Sequence, residues 1–236
     1  MSYQNKLRSS YKIMNPKYEE IWENRYNLIP NTKNWKPFSG WKNDEDKKHL
    51  VLIVLIKDPE VTKKFEDVQN ELCKHKSYIR FPKENYHITL KPIGYLNEVK
   101  SNQDDYSEIE LNEIITELTN IFSNQEKIEV KLNSLNLFKD VVFIQVDDND
   151  IFSKINKKIL NIPKIIPLKR DYPNFLPHIS MGTFKSDSIS NLIKSTERYR
   201  NYYFGKIVVD EIQLAIAHWY KTKYLKFEVI KKFKLE

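Results

Sequence analysis

The sequence predicts an α+β fold of two similar lobes, with helices outside and strands facing inward. Three observations carry this expectation. From Lys48 onward, strand-like and helix-like patterns alternate in two halves that repeat an architecture but not a sequence. Each half holds one apolar, β-forming stretch in which a histidine stands two residues before a hydroxyl residue: Tyr86-His87-Ile88-Thr89-Leu90 and Pro177-His178-Ile179-Ser180-Met181. The apolar run Leu50 to Ile56 reads as a central strand buried on both faces, and it is far too short to cross a bilayer.

The elements follow in order. Residues 1–45, rich in Asn, Tyr, Trp, Lys and Pro, read as a partly helical N-terminal extension, with a short helix near Tyr18–Glu23 after Asn15-Pro16. Trp22, Trp35 and Trp41 are expected to pack on the main body rather than to serve as stacking platforms. Residues 46–236 form the bilobal domain. After the first strand, Asp58-Pro59 opens a helix whose buried face is Val61, Phe65, Val68, Leu72 and Cys73. A short strand at Ile79–Phe81 leads to the first histidine strand, Tyr86–Leu96, and then to a helix over Glu108–Phe122 with Ile109 among its apolar positions. Strands at Ile128–Leu137 and Val141–Val146, a helix at Asn149–Leu160 capped by Asn149, and a basic, Pro-punctuated loop from Pro163 to Pro177 precede the second histidine strand. A helix at Asp187–Arg200 and two strands, Lys206–His218 and Tyr224–Phe233, close the chain.

Composition bounds the partners. The chain of 236 residues carries 39 Lys and Arg against 32 Asp and Glu, a net +7 that favours a polyanionic partner. Lys221, Lys223, Lys226, Lys231, Lys232 and Lys234 concentrate the excess at the C-terminal end, where they fit either such a partner or a protected sheet edge. A single cysteine excludes a disulfide framework and a Cys-based metal site. The first residues have no apolar core of signal-peptide length, so a soluble, cytoplasmic monomer with no membrane association is expected, nuclear placement being open in a eukaryote.

In a strand, side chains alternate between faces, which puts His87 with Thr89 and His178 with Ser180 on one polar side. One His-x-hydroxyl triplet is weak evidence, but here two share the form His-Ile-hydroxyl-apolar and each is followed by one of the chain's four glycines, Gly94 and Gly182. Strict alternation also brings Lys91 to the face of His87, as a cation for phosphate, and Gly182 to the face of His178, leaving room for substrate. No metal-ligand spacing and no Gly-rich phosphate loop is present, so neither a metal nor another cofactor is expected. Two imidazoles flanking one phosphorus suit general acid–base catalysis, with Thr89 and Ser180 donating to the non-bridging oxygens.

The two motifs, His87-Ile88-Thr89-Leu90 with Gly94 following and His178-Ile179-Ser180-Met181-Gly182, resemble the signature of the 2H phosphoesterase superfamily. The similarity is greatest to its LigT-like branch of 2′-5′ RNA ligases and 2′,3′-cyclic phosphodiesterases. The resemblance implies two antiparallel sheets facing a central cleft, and a catalytic tetrad of His87, Thr89, His178 and Ser180. It also implies RNA ends or nucleotides with cyclic or 2′-5′ phosphodiester linkages as substrates, and no metal. Residues 1–45 have no counterpart in it. A 3′-end trimming RNA phosphodiesterase and a non-catalytic RNA-binding module are the alternatives.

Overall fold

A computed structural model describes residues 15–28, 48–184, 189–219 and 224–236. Along the chain run α1 (Pro16–Glu23), β1 (Lys48–Leu55), α2 (Pro59–Leu72), β2 (Tyr78–Arg80), β3 (His87–Leu96), β4 (Asp105–Tyr106), α3 (Glu108–Phe122), β5 (Ile128–Leu137), β6 (Val141–Asp147), α4 (Ile151–Ile159), β7 (His178–Phe184), α5 (Ser190–Glu197), β8 (Tyr203–Val209), β9 (Glu211–Trp219) and β10 (Leu225–Lys234). Trp35, Trp41 and the expected helix start at Asp187 lie outside the described residues. Among the described residues no helix is long and apolar enough to cross a membrane.

The strands are ordered β10-β9-β1-β3-β7-β6-β5-β8, so the two expected sheets are halves of one ten-stranded sheet. The halves join through a single antiparallel pair, Ile88 with Ile179. The unit β1-α2-β3 is echoed by β6-α4-β7, and the registers correspond. Ile53, Val54 and Leu55 face Thr89, Ile88 and His87, while Phe143, Ile144 and Gln145 face Ser180, Ile179 and His178. The helices cross over the seam. Phe65 of α2 packs edge-on against Tyr86 and against Phe204 of β8, and Asn156 of α4 bonds to β3.

Local chemistry explains the helices. The Asp58 side chain accepts from the Val61 N–H at the start of α2, with Pro59 in the first turn, where its missing N–H costs nothing. Ser107 and Glu110 form a reciprocal capping box on α3. At α4 the N-cap position falls on Asp150, which makes no side-chain cap bond, and not on Asn149 as the spacing suggests; Asp148 accepts from the Phe152 N–H instead. Asn149 and Asp150 both adopt positive φ, which tightens the turn and brings Asp148 under the first turn of the helix.

Three other expectations are corrected. The span Lys206–His218 is two strands, β8 on β5 and β9 on β1, so the chain changes halves at Asp210. No Gly or Pro marks the crossing, and a β-rich run looks the same whichever partner it pairs with. Cys73 is exposed at the C-cap of α2, and Ile109 is exposed on α3. Trp22 packs as expected, buried with the guanidinium groups of Arg25 and Arg200 over its ring. β10 is an edge strand, which places the C-terminal lysines it carries along a sheet edge.

Gly94 marks a close approach, but of the protein's own chain. Its φ is +155°, and an added Cβ would lie 2.1 Å from the Asp104 carbonyl oxygen and 2.6 Å from the Tyr106 ring. The turn leading into β4 fills the space beside it. Gly94→Ala is therefore expected to lower stability by about 3 kcal/mol or more, read from urea unfolding, because backbone must move and φ is unfavourable.

Candidate active site

A groove of about 860 Å³ runs across the seam between the halves. β3 contributes His87 and Thr89, and β7 contributes His178 and Ser180. These four are half-buried, while Ile88, Leu90, Ile179 and Met181 are buried on the opposite side. The pairing of Ile88 with Ile179 sets His87 across from Ser180 and Thr89 across from His178. Opposed residues in an antiparallel ladder have Cα atoms roughly 4.5–5.5 Å apart, so both imidazoles flank one small volume.

The two histidines are held alike. Nδ1 of His87 lies 2.6 Å from the Asn85 carbonyl, and Nδ1 of His178 lies 2.9 Å from the Leu176 carbonyl. A carbonyl only accepts, so each Nδ1 carries a proton and each neutral ring presents a bare Nε2. Thr89 Oγ1 is 3.1 Å from Nε2 of His87, in position to donate to it. Phe227 from β10 and His87 meet in a T-shaped contact at 4.8 Å between centroids, and Phe138 meets His178 at 4.9 Å while stacking on Phe143 at 4.0 Å. These rings remove water from the imidazoles. Burial lowers His87 below its ordinary value and brings His178 down to about 4, against the hydrogen bond to Leu176 and with the charges of His87 and Arg170 adding to the fall.

Lys91 and Gly182 are not on the groove face. Each histidine strand has a bulge directly after its hydroxyl residue: Ile53 faces Thr89 but Leu52 faces Lys91, and Phe143 faces Ser180 but Val142 faces Gly182. The extra residue, Leu90 or Met181, shifts everything beyond it to the other side. Gly182 thus abuts β2, where a Cβ would meet the Tyr78 hydroxyl at 2.5 Å. Lys91 is fully buried; its ammonium pairs with Asp171 and donates to the Ile166 carbonyl at 2.8 Å. The bulged carbonyls are satisfied across the seam: Leu90 O accepts from Asn156 Nδ2 at 2.9 Å, and Met181 O accepts from Phe81 N at 2.9 Å and from Gln69 Nε2.

What Lys91 does instead is anchor a loop that supplies a cation to the groove, beside Lys17 and Lys139 in its lining. Asp171 also accepts from the Leu168 N–H at 2.7 Å, which ties the loop between α4 and β7 to the buried ammonium. Arg170, next in line, is exposed and lines the groove near His178. The sequence showed only a basic loop there. Helix α1 supplies another wall, with Lys17, Glu20, Ile21 and Asn24. Its docking has no signal in residue patterns, since every bond that fixes it spans well over a hundred positions. Among the described residues no three His, Cys, Asp or Glu side chains cluster so as to hold a metal ion.

Comparison with known proteins places this geometry. The RNA 2′,3′-cyclic phosphodiesterase of Methanocaldococcus jannaschii is 27% identical over 164 residues, covering 63% of this chain and 84% of that protein. The crystal structure of TT0787 from Thermus thermophilus superposes with a TM-score of 0.59 at 18% identity, over 79% of this chain and 97% of that one. Escherichia coli LigT, crystallised with 3′-AMP, superposes with a TM-score of 0.56 at 12% identity, over 80% of this chain and 98% of that one. Both structures share the fold. The model of the 2′-5′ RNA ligase superfamily matches residues 57–218, a span that contains both histidine strands, and the chain belongs to that family of 2H phosphoesterases.

Proposed function

We propose that this chain is a metal-independent phosphodiesterase that opens 2′,3′-cyclic phosphates on RNA ends or nucleotides. The observation that carries the reading is the matched pair of imidazoles, each with Nδ1 fixed on a carbonyl and Nε2 bare in one groove. The archaeal relative's name as an RNA 2′,3′-cyclic phosphodiesterase and the 3′-AMP bound to LigT support the substrate class.

In this mechanism His178 is the base and His87 the acid. Burial, with the charge of Arg170 adding to it, brings His178 down to about 4, which keeps it neutral and ready to accept a proton. It takes a proton from water as the water oxygen forms its bond to phosphorus. The P–O3′ bond breaks, His87 gives its proton to O3′, and a 2′-phosphate is left. A ribose 5′-hydroxyl in place of water gives a 2′-5′ linkage by the same transfers. Thr89 and Ser180 donate to the non-bridging oxygens, and Arg170 replaces Lys91 as the cation that meets the phosphate.

Four results are expected. In EDTA, the protein opens adenosine 2′,3′-cyclic phosphate or a short RNA ending in one, and His87→Ala or His178→Ala lowers kcat at least about a hundredfold; either variant with near-normal turnover sinks the mechanism. Processive shortening of an oligouridylate without cyclic-phosphate opening would instead favour 3′ trimming. The base works only when neutral and the acid only when protonated, so kcat/KM falls below the pKa of His178, about 4, and again above that of His87, itself lowered from 6.5. The kcat/KM profile is therefore a bell whose maximum lies on the acid side of neutrality, and an alkaline limb above pH 7 would contradict the assignment. Arg170→Gln is expected to cut kcat/KM by about tenfold or more with unchanged melting, as loss of a charge-assisted contact. Lys91→Met acts on the fold instead, costing about 3–5 kcal/mol in urea titrations because Asp171 is left buried without its partner.

A further inference from the structure

Helix α1 lies outside the matched span of residues 57–218, yet it is built into the catalytic strand. The ladder between β6 and β7 ends with Gln145 opposite His178. The next pair would be Val146 with Pro177, and a proline has no N–H to give. The Tyr18 hydroxyl occupies that position. It accepts from the Val146 N–H at 3.2 Å, lies 3.1 Å from the Val146 carbonyl, and bonds to the Pro177 carbonyl. Tyr18 is 1% exposed, and burial pushes its hydroxyl well above the ordinary phenol value, so the proton it donates is permanent. One hydroxyl thus bridges the two strands at the position where Pro177 cannot complete the ladder, directly before His178.

The helix that presents this hydroxyl is itself pinned. Asn136 Nδ2 donates to the Tyr18 carbonyl at 2.8 Å, Lys17 donates to the Pro173 carbonyl, and Glu197 holds Arg25 at 3.1 Å. Pinning matters because His178 takes its orientation from the chain beside Pro177: its Nδ1 bonds to Leu176, one residue further back.

We propose that residues 15–28 are part of the catalytic machinery of this chain, with Tyr18 the positioning residue that fixes the Leu176–His178 segment and thereby aims the His178 ring. This rests on the reading of His178 as catalytic. Among the described residues, the charged groups that line the groove around His178 are His87 on β3, Arg170 and Asp171 on the preceding loop, Lys139 and Asp140 on the β5–β6 turn, and Lys17 and Glu20 on α1. None is changed by removing the hydroxyl, so a shift in His178 titration reports its placement.

The test is Tyr18→Phe in the full chain, compared with wild type and His178→Ala for cyclic-phosphate opening across pH. The expected result is a fall in kcat of about tenfold with KM within about twofold, the size of effect that a small misplacement produces. The acid limb of kcat/KM should also move up toward the ordinary imidazole range, as His178 loosens into water. Pro177→Ala in the Tyr18→Phe background restores an N–H able to donate to Val146 O, and most of the lost rate should return. A limb that stays at its wild-type pH in Tyr18→Phe overturns the proposal, whether the rate is normal or falls only in step with melting temperature. Should Tyr18→Phe not fold, the double variant decides: a wild-type limb and rate there support the rung, and a displaced limb or a tenfold loss overturns it. An active His178→Ala would strike the catalytic reading itself, whereas an inactive His178→Ala beside an unaltered Tyr18→Phe removes only the role of α1.

Discussion

The groove depends on one backbone pairing, Ile88 with Ile179, where the two halves of the sheet touch. A single rung is weak, since net hydrogen-bond contributions run to about 1 kcal/mol each. The seam holds because each half's helix reaches over the other half's strand. Gln69 of α2 caps the Met181 carbonyl of β7, and Asn156 of α4 caps the Leu90 carbonyl of β3. Both amides are buried, and an orphaned carbonyl there would cost more than the bond is worth. Separating the halves would therefore orphan buried polar groups on both sides as well as breaking one rung. The short seam lets the strands splay on either side of it, and the groove is the space so opened.

The bulges at Leu90 and Met181 give the site its extent. Before each bulge, alternate side chains face the groove; after it, they face the helices. The switch ends the polar face at Thr89 and Ser180. It also turns the next charged side chain, Lys91, inward to a carboxylate, and that ion pair holds the loop on which Arg170 stands. A lysine that strict alternation would offer to phosphate becomes the anchor for an arginine that lines the groove. Exchange of a flexible ammonium for a guanidinium suits a phosphate, because the planar fork meets two oxygens at once.

The division into halves, the two histidine strands and their hydroxyls were legible because a period of two is a local property of the chain. His87, Thr89, His178 and Ser180 follow from it directly. Lys91 and Gly182 were misplaced by the same rule, one residue beyond where it stops, since a bulge is set by the partner strand's register and leaves little trace in the bulged sequence. Gly182 after Met181 is a faint sign of one. The break at Asp210 was invisible for a related reason: β8 and β9 are both ordinary strands, and only their partners differ. Arg170 and Tyr18 depend on contacts between distant segments. Pro177 held a readable clue, because a proline opening a paired strand leaves a rung to be filled, but nothing local says which residue fills it.

The electrostatics of the groove account for how two depressed histidines would serve the proposed reaction, which requires one of them charged. The half-buried rings of Phe138 and Phe227, which displace water from the imidazoles, and the charge of Arg170 beside His178 disfavour an imidazolium. Bringing His178 from 6.5 to about 4 corresponds to ~3 kcal/mol against its charged form, and His87 is lowered by the same kind of burial. A phosphodiester monoanion about 4 Å from an imidazolium contributes about 4 kcal/mol the other way at an effective dielectric of about 20, and it also neutralises Arg170. The substrate's own charge is thus large enough to recharge one ring. In the proposed mechanism the ring recharged is His87, the acid, while His178 stays neutral as the base. In that mechanism protonation of the acid and binding of the anion become one event, and a neutral ligand of the same shape would leave both rings uncharged and the groove unable to protonate a leaving oxygen.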